Sequence, residues 1–388
     1  MKKSICFVST SAYALNYFLK SHLNALCDHH QITVCLNKNE LEPSVDLSAE
    51  IRIQHFPISR KISLFTDIYC QIWLVVFFLR NRFDAVHTIT PKAGLLGMFA
   101  AWLSAVPHRT HTFTGQIWVN RKGFIRTILK TADKIISMAA TDLLADSASQ
   151  RDFLINENIC PAGAITVLGP GSICGVDLQQ FRKNPAHNLK IRTEMKIKPN
   201  NLVFLFLGRL VEDKGVFVLI DAFIKLAKEN PNVFLMLVGP DEDNQRLTIE
   251  RRLQAVKGSY AITGTTSEPE AFMNAANVLC LPSFREGFGG VVIEAGAIGL
   301  PALATRIYGL TDAVIENQTG LFSAPGDVQG LLDNMRRMTD DSIRRPMGDQ
   351  AQRHVTRTFN SQILTAAWLD YYQKKLVPVE PSRLGEKS

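Results

Sequence analysis

The chain has 388 residues, of which 46% are hydrophobic and 20% charged, so it is a globular protein of about two domains and not a disordered chain. Its net charge is +7, and most of the excess lies in residues 1–185, with 19 Lys and Arg against 13 Asp and Glu. The seven cysteines, an odd number without any Cys-x-x-Cys spacing, indicate neither a disulfide framework nor a zinc site and fit a reducing compartment.

The first half of the sequence alternates short apolar runs with longer amphipathic ones. Strands are predicted at 4–8, 31–36, 84–89, 108–113 and 141–147, and helices at 16–28, 93–105 and 123–136. The start, MKKSICFVST, has an apolar run of four residues, which favours a first strand over a secretory signal. The run IWLVVFFL at 72–79 lies in a segment of about a dozen residues, too short to span a bilayer. This order of elements predicts a parallel sheet with helices on both faces.

A polar and basic stretch with two prolines, residues 182–201, predicts a domain boundary, and the same alternation begins again after it. Strands are predicted at 202–210, 233–240, 260–264, 278–283 and 301–305, and helices at 215–230, 248–256, 269–276, 289–299 and 328–338. The sequence therefore predicts two doubly wound α/β domains, 1–185 and 186–360, that face each other across a ligand-binding cleft. The tail at 377–388 is predicted to be disordered.

The stretch FREGFGGVVIEAGAIGLPALA, residues 284–304, places two glutamates eight positions apart around a glycine-rich turn. A helix is predicted to begin near Gly289 or Gly290, and glycine amides at a helix N-terminus suit a phosphate. Glu294, one turn into the helix, suits a ribose diol, while Glu286 in the turn suits the hydroxyls of a sugar. Two alternatives remain: a helix cap with a surface acid, or the carboxylate pair of a glycosidase.

Two cations follow the first predicted strand of the second domain, in FLFLGRLVEDKG at 204–215. Arg209 and Lys214 suit two anionic phosphates and could stabilise a departing diphosphate without a metal. The alternative is a pair of surface cations beside Glu212 and Asp213.

The sequence shows no metal or dinucleotide motif. PDED at 240–243 contains Asp-x-Asp but is predicted to be a solvated loop. Neither Gly-x-Gly-x-x-Gly nor a P-loop motif occurs, which excludes dinucleotide and P-loop sites of those kinds.

Polar residues also follow two neighbouring strands of the first domain. They are predicted to line a binding site at the carboxyl edge of the first sheet and comprise Thr90, Lys92, Thr114, Gly115 and Gln116, with His111 nearby. The alternative for His111 is a structural role, the commoner fate of a lone histidine.

Together these residues resemble the family-4 retaining glycosyltransferases of the GT-B fold. The resemblance rests on the E-x7-E motif from Glu286 to Glu294, on GRLVEDKG, and on GVDLQQF at 175–181, and it covers nearly the whole chain. It implies that Arg209 and Lys214 hold the donor diphosphate, that Glu294 holds the ribose, and that Glu286 with the amides of the turn holds the donor sugar. The donor-side set also includes Gly208, Gly264, Gly287, Phe288, Gly289 and Gly290.

The same resemblance implies that the acceptor binds the N-terminal domain, which makes the polar residues from Thr90 to Gln116 the acceptor side of the cleft. It also implies a closing helix at 361–376 that crosses back to that domain, and no metal or other cofactor. Two departures stand out: the first strand is followed by STSAYALNYF, without glycine, and Thr114 stands where many members have a histidine. His111, three residues earlier, is the remaining candidate for a catalytic histidine.

TPKAGLLGM and HTFTGQIW further resemble transferases of bacterial O-antigen, capsule and exopolysaccharide assembly. This implies a UDP-sugar donor, a polyprenyl-diphosphate-linked saccharide acceptor and a peripheral position on the anionic inner face of the cytoplasmic membrane, with no nucleic-acid partner. We favour an N-acetylated hexosamine as the transferred sugar. A GT-B-fold nucleotide-sugar epimerase and a non-catalytic nucleotide-sugar-binding subunit are the alternatives.

The helix predicted around 121–134 combines cations with an apolar stripe. Its basic residues are Arg121, Lys122, Arg126, Lys130 and Lys134. Such a helix can lie on an anionic membrane surface through its cations. Alternatively, its apolar stripe, which includes Phe124, Ile125, Ile128 and Leu129, packs on the sheet.

Overall fold

The computed structural model describes residues 2–37, 47–58 and 63–376. These residues form two α/β domains, each built around one parallel β-sheet. The predicted disordered tail at 377–388 lies outside the described residues.

The first sheet has seven strands in the order β3-β2-β1-β4-β5-β6-β7. The strands are β1 Ser4–Val8, β2 Gln31–Leu36, β3 Arg52–His55, β4 Ala85–Ile89, β5 His108–Phe113, β6 Asp142–Ala145 and β7 Ile165–Val167. Because helices cover both faces, the central strands β1 and β4 are almost wholly buried.

The helices of this domain are α1 Ala12–Ala14, α2 Lys20–Cys27, α3 Leu64–Asn81, α4 Pro91–Leu103, α5 Gly123–Ala139 and α6 Ala148–Asn156, with a π-helical turn at Leu15–Leu19 between α1 and α2. Side chains from α3, α4 and α5 share one core with Cys6 and Val8 of β1. Those of α2 share the opposite core with Ile5 and Phe7. Thus α3, α4 and α5 lie side by side on one face of the sheet.

The second sheet has six strands in the order β10-β9-β8-β11-β12-β13. The strands are β8 Leu202–Leu207, β9 Val233–Val238, β10 Tyr260–Thr263, β11 Val278–Leu281, β12 Ala302–Thr305 and β13 Gly320–Ser323. The helices are α7 Pro185–Glu194, α8 Val216–Glu229, α9 Arg246–Leu253, α10 Pro269–Ala275, α11 Gly290–Ile298, α12 Leu310–Ala313, α13 Val328–Arg337 and α14 Asp341–Thr358. Apolar cores cover both faces of this sheet as well.

The last helix, α15 Ser361–Leu376, packs against α2 of the first domain. Its Trp368 ring stacks on His22 with a 5.0 Å centroid separation, and Tyr372 Oη lies 2.6 Å from Nδ1 of His87. The C-terminal helix therefore ties the two domains together through a buried aromatic cluster.

The predicted fold class, two facing Rossmann-like domains, is confirmed. Among the elements that were not predicted from the sequence are β3, α6, β7, α7 and β13, which are short or polar. The prediction that the apolar run at 72–79 lies in a segment of about a dozen residues is wrong: α3 runs for 18 residues and is long and apolar enough to cross a membrane by length and composition.

Candidate active site at the cleft

The glycine-rich turn lies between β11 and α11, at the carboxyl edge of the second sheet, and it touches the first domain. A Cβ placed on Gly287 would lie 2.5 Å from the carbonyl oxygen of Thr114, so only glycine allows this approach. Gly289 precedes α11 with a φ of 84°, a left-handed conformation that glycine adopts without strain. The turn is therefore held against the first-domain loop that contains Thr114 and Gly115.

Lys214 and Glu286 meet beside this turn. Lys214 Nζ lies 2.6 Å from Oε1 of Glu286, and Ser283 Oγ donates a hydrogen bond of 2.8 Å to the same oxygen. Both charged side chains are mostly shielded, with 21% and 11% of their area exposed. The structure thus brings together two residues that are 72 positions apart in the sequence, at the N-terminal end of α11.

Glu294 is buried on the first turns of α11 and faces the first domain. Its Oε1 accepts a hydrogen bond of 2.8 Å from the phenol of Tyr17, which belongs to the π-helical turn after β1. Burial raises the pKa of Glu294 to about 7, with a further rise from Glu270 and an opposing effect of the Tyr17 hydrogen bond. A Cβ on Gly290 would lie 2.4 Å from the same phenol oxygen, so Tyr17 occupies the space above the helix N-terminus.

Arg209 is paired with an acid of the PDED loop. Its guanidinium forms a 3.0 Å ion pair with Glu242, and both side chains are about 40% exposed. An exposed pair of this kind is weak, so a bound anion can compete for Arg209.

The acids of the PDED loop do not gather around a metal position. Asp241 accepts hydrogen bonds from the backbone N–H groups of Gln245 and Arg246, at 2.6 and 2.9 Å, and so caps α9. Within residues 2–37, 47–58 and 63–376 no cluster of His, Cys, Asp and Glu could hold a metal ion.

The remaining donor-side residues differ in how they meet the cleft. The Phe288 ring is buried against Phe359, so only its backbone can reach a ligand. Gly208 directly follows β8. Its carbonyl oxygen packs closely on Gly239, where an added Cβ would lie only 2.0 Å from it. Gly264 follows the edge strand β10 in open, exposed space.

The acceptor-side residues line the facing edge of the first sheet. Thr90 precedes α4 and its hydroxyl lies 3.0 Å from that of Thr10. Lys92 pairs with Asp67 of α3 at 2.6 Å. Gln116 is 1% exposed, and among the described residues its amide nitrogen has no hydrogen-bond partner.

His111 sits inside the sheet and not in the cleft. It is 1% exposed, its Nδ1 lies 2.8 Å from the hydroxyl of Thr88, and its ring packs edge-on against Phe113. Burial lowers its pKa to about 3, which keeps the ring neutral. This geometry favours a structural role for His111 over the catalytic one considered from the sequence.

Several residues at the domain interface were not predicted from the sequence. Asp146, directly after β6, accepts a hydrogen bond from Ile173 N at 3.0 Å, and its Oδ2 lies 2.9 Å from the position of a Cβ on Gly287. Burial, followed by the nearby charges of Glu286 and Asp312, raises the pKa of Asp146 to about 7, against the hydrogen bond from Ile173. An acid directly after a buried strand was the only signal in the sequence.

A second missed contact links the domains behind the turn. Ser149 of α6 hydrogen-bonds to Asp312 of α12 through its hydroxyl, which also accepts a bond of 2.8 Å from Gly309 N. The ring of Phe153 stacks on that of Tyr308 at 4.5 Å. These contacts fix the turn between the two domains.

Comparison with known protein families matches both halves of the chain. Residues 19–171 match the glycosyl transferase 4-like domain and residues 188–354 match the family described as glycosyl transferases group 1. The capsular polysaccharide biosynthesis glycosyltransferase CapM of Staphylococcus aureus is 32% identical over 79% of this chain and 81% of its own length. An Escherichia coli protein, UDP-Gal:alpha-D-GlcNAc-diphosphoundecaprenol alpha-1,3-galactosyltransferase, is 26% identical over 86% of this chain and 87% of its own.

Solved structures agree in fold. HepE of Anabaena, in complex with UDP and glucose, superposes with a TM-score of 0.80 at 20% identity, over 95% of this chain and 99% of its own. Sucrose-phosphate synthase of Thermosynechococcus elongatus gives 0.81 at 20% identity, over 96% and 99%. With two facing Rossmann-like domains, a glycine-rich turn at their cleft and these relatives, the chain belongs to the group 1 glycosyltransferases and is a glycosyltransferase of the GT-B fold.

Proposed function

We propose that this glycosyltransferase is retaining and independent of metal, and that it moves a sugar from a UDP-sugar to a polyprenyl-diphosphate-linked saccharide during assembly of a bacterial surface polysaccharide. The names of two relatives support the pathway and the acceptor. One acts in capsular polysaccharide biosynthesis, and the other is named for a GlcNAc-diphosphoundecaprenol acceptor and a UDP-Gal donor.

The observation that carries the proposal is the arrangement around α11. The N–H groups of its first turn suit the donor diphosphate, the adjacent Lys214 adds a cation, and Glu294 supplies a carboxylate one turn further on. In this proposal Glu294 accepts hydrogen bonds from the ribose diol and Glu286 accepts them from the donor sugar. Lys214, with Arg209 released from Glu242, stabilises the charge that develops on the departing diphosphate.

The acceptor is assigned to the first domain, 1–185, and the donor to the second, 186–360. Thr90, Lys92, Thr114 and Gly115 follow strands β4 and β5 at the edge that faces the turn. The buried amide of Gln116 is a donor that an acceptor hydroxyl can satisfy. These positions support a polar acceptor site opposite the donor.

Turnover tests the proposal directly. The purified chain is incubated with UDP-GlcNAc, UDP-GalNAc, UDP-glucose or UDP-galactose and a short-chain lipid diphosphate saccharide. We expect transfer with one donor, with an N-acetylhexosamine as our hypothesis for the sugar, and an α-linked product that shows retention. Conversion of the donor without acceptor would identify an epimerase, and donor binding without any turnover would identify a non-catalytic subunit.

Chelation tests the metal-independent mechanism. We expect turnover to persist in excess EDTA, because Lys214 and Arg209 supply the positive charge that Mg²⁺ gives other transferases. A chain freed of metal, with Mg²⁺ or Mn²⁺ added back, is the matched control. Loss of activity in EDTA and its rescue by either ion would refute the mechanism and redirect attention to Asp241 and Asp243.

The proposed place of action is the inner face of the cytoplasmic membrane, where lipid-linked acceptors are found. The cations of α5 were expected to provide the contact. Two of them are engaged within the protein, because Arg126 and Lys130 pair with Glu157 at 3.0 and 2.6 Å and lie over the Trp118 ring. Arg121, Lys122 and Lys134 are exposed and remain available to an anionic surface.

A further inference from the structure

Exposed apolar side chains are concentrated on one side of the first domain. Of the nineteen exposed large hydrophobic side chains among the described residues, fifteen belong to α3, α4 and α5. We call this surface the α3–α5 face; its members are Leu64, Phe65, Ile68, Tyr69, Ile72, Val76, Leu79, Phe99, Trp102, Leu103, Phe124, Ile125, Ile128, Ile135 and Met138. Monomeric proteins seldom leave so many adjacent apolar groups in water, so the face marks an interaction site.

The three helices present these side chains outward from one layer. The opposite side of α3, including Cys70, Leu74 and Phe78, is buried in the core against the sheet. The helix α5 buries Ile136 and Ala139 instead of the stripe expected to pack on the sheet, and leaves that stripe largely exposed. Since α3 lies flat on the domain, it is placed to enter a surface from the side and not to cross it.

The exposed charged side chains on and beside the face are basic. The exposed charged side chains within these helices are Arg80 and Lys134, and the adjoining Arg82, Arg121 and Lys122 are exposed as well. The two acids of the helices point elsewhere: Asp67 pairs with Lys92, and Asp133 is buried and bonded to Trp118. A second copy docked on the same face would bring cations against cations, whereas anionic headgroups complement them.

The face is continuous with the acceptor side of the cleft. The helices α3, α4 and α5 each begin after the carboxyl end of a strand, which is the edge of the sheet that faces the second domain. Their first turns carry the most exposed of the aromatic side chains, Phe65 at 90% and Phe124 at 79%. The acceptor-side residues Thr90 and Lys92 begin the helix between them.

We infer that the α3–α5 face inserts into the headgroup and acyl boundary of an anionic lipid bilayer, with the apolar side chains in the acyl region and the basic residues at the phosphates. In this orientation the mouth of the cleft lies at the interface, where a lipid-linked acceptor can enter without leaving the membrane. The inference rests on the acceptor that we propose above. In this inference apolar side chains of three helices insert into the membrane, whereas the sequence had suggested docking by the basic residues around α5 alone.

Vesicle flotation tests the inference without any substrate. The full chain is mixed with phosphatidylglycerol–phosphatidylcholine vesicles at low and at high salt. We expect binding at both, because apolar insertion persists when salt screens the cations. The variants Phe65→Ser and Phe124→Ser are each expected to lower the partition coefficient about tenfold, as an aromatic ring leaves the acyl region.

Matched controls distinguish insertion of the α3–α5 face from nonspecific binding of exposed apolar side chains to vesicles. Leu247→Ser on α9 and Leu189→Ser on α7 remove side chains that are 73% and 70% exposed on the second domain, and they are expected to bind vesicles like the parent chain. All of these positions are exposed, and circular dichroism with thermal melting checks that each variant folds.

Trp102 provides a direct probe, because it is 52% exposed on the face whereas Trp118 and Trp368 are each 1% exposed. The fourth tryptophan, Trp73 of α3, is partly buried and stacks on Phe56 and Phe77. Vesicles are expected to shift the fluorescence of Trp102 to the blue and brominated lipid to quench it, and Trp102→Phe is expected to remove most of both signals.

Three results would overturn the inference: no vesicle binding, binding that high salt abolishes, or a dimer in light scattering that Phe65→Ser dissociates. Activity on a water-soluble acceptor without vesicles tests the proposed function separately. A chain that turns over this acceptor but ignores vesicles would therefore retain the function and lose the membrane site.

Discussion

Replacing Glu294 by Gln or Ala is expected to weaken the binding of UDP itself about 100-fold or more. Each hydrogen bond to a charged group contributes about 1.5–3 kcal/mol, and a ribose diol can give the carboxylate two of them. Isothermal titration with UDP measures the loss. Tyr17→Phe is the matched control, because it removes the hydrogen bond to Glu294 but keeps the carboxylate, and UDP is expected to bind this variant at least as tightly as the parent.

The same assignment predicts a pH dependence. The carboxyl of Glu294 has a pKa of about 7 in the donor-free structure, so below pH 7 most of it carries a proton and accepts hydrogen bonds poorly. UDP affinity is therefore expected to rise as the pH increases toward 7, by about tenfold for each pH unit below the pKa. Glu294→Gln is expected to abolish this dependence. Unchanged UDP affinity in Glu294→Ala, with loss of turnover alone, would contradict the ribose assignment.

Replacing Lys214 by Ala is expected to lower kcat by about 10²–10³-fold, the usual effect of removing one group that stabilises transition-state charge. Lys214 lies beside the turn that precedes α11 and is paired with Glu286. A diphosphate bound there can replace Glu286 as the partner of its ammonium group. Steady-state kinetics with a saturating donor measure the effect. Lys225→Ala, an exposed lysine on α8, is the matched control and is expected to retain full activity.

A double mutant distinguishes two roles for Lys214. Glu286→Gln alone is the reference, because Glu286 itself contacts the donor sugar in the proposal. If the lysine serves only to neutralise Glu286, adding Lys214→Ala to Glu286→Gln leaves kcat unchanged. If it stabilises the leaving diphosphate, Lys214→Ala lowers kcat further in the Glu286→Gln background while thermal stability is retained. A double mutant with the same kcat as Glu286→Gln would contradict the catalytic assignment.

Local patterns in the sequence predicted most of the strands and helices of the fold. Strands such as β2 and β5 are bounded by turns and were located to the residue, and the E-x7-E spacing placed Glu286 and Glu294 around the start of α11. The helix α3 was not predicted because both its sides are apolar, so its sequence has no amphipathic period. One side packs on the sheet and the other forms the exposed face.

Contacts between distant segments could not be predicted in this way. Tyr17 and Glu294 are 277 positions apart, and only the packing of the two domains brings them together. His111 illustrates the converse, because its place near a strand end suggested a site residue, whereas its burial against Thr88 and Phe113 favours the structural alternative. Asp146 is a candidate because the folded structure packs the glycine-rich turn before α11 against its carboxylate.

The hydrogen bond between Tyr17 and Glu294 bears on the order in which the substrates bind. Tyr17 belongs to the segment between β1 and α2, and Thr10 at the start of that segment contacts Thr90 on the acceptor side. A nucleotide whose ribose hydrogen-bonds to Glu294 would displace the phenol of Tyr17 and allow this segment to rearrange around the acceptor. The donor would then bind first and UDP would leave last, with the returning phenol competing for Glu294 and hastening product release.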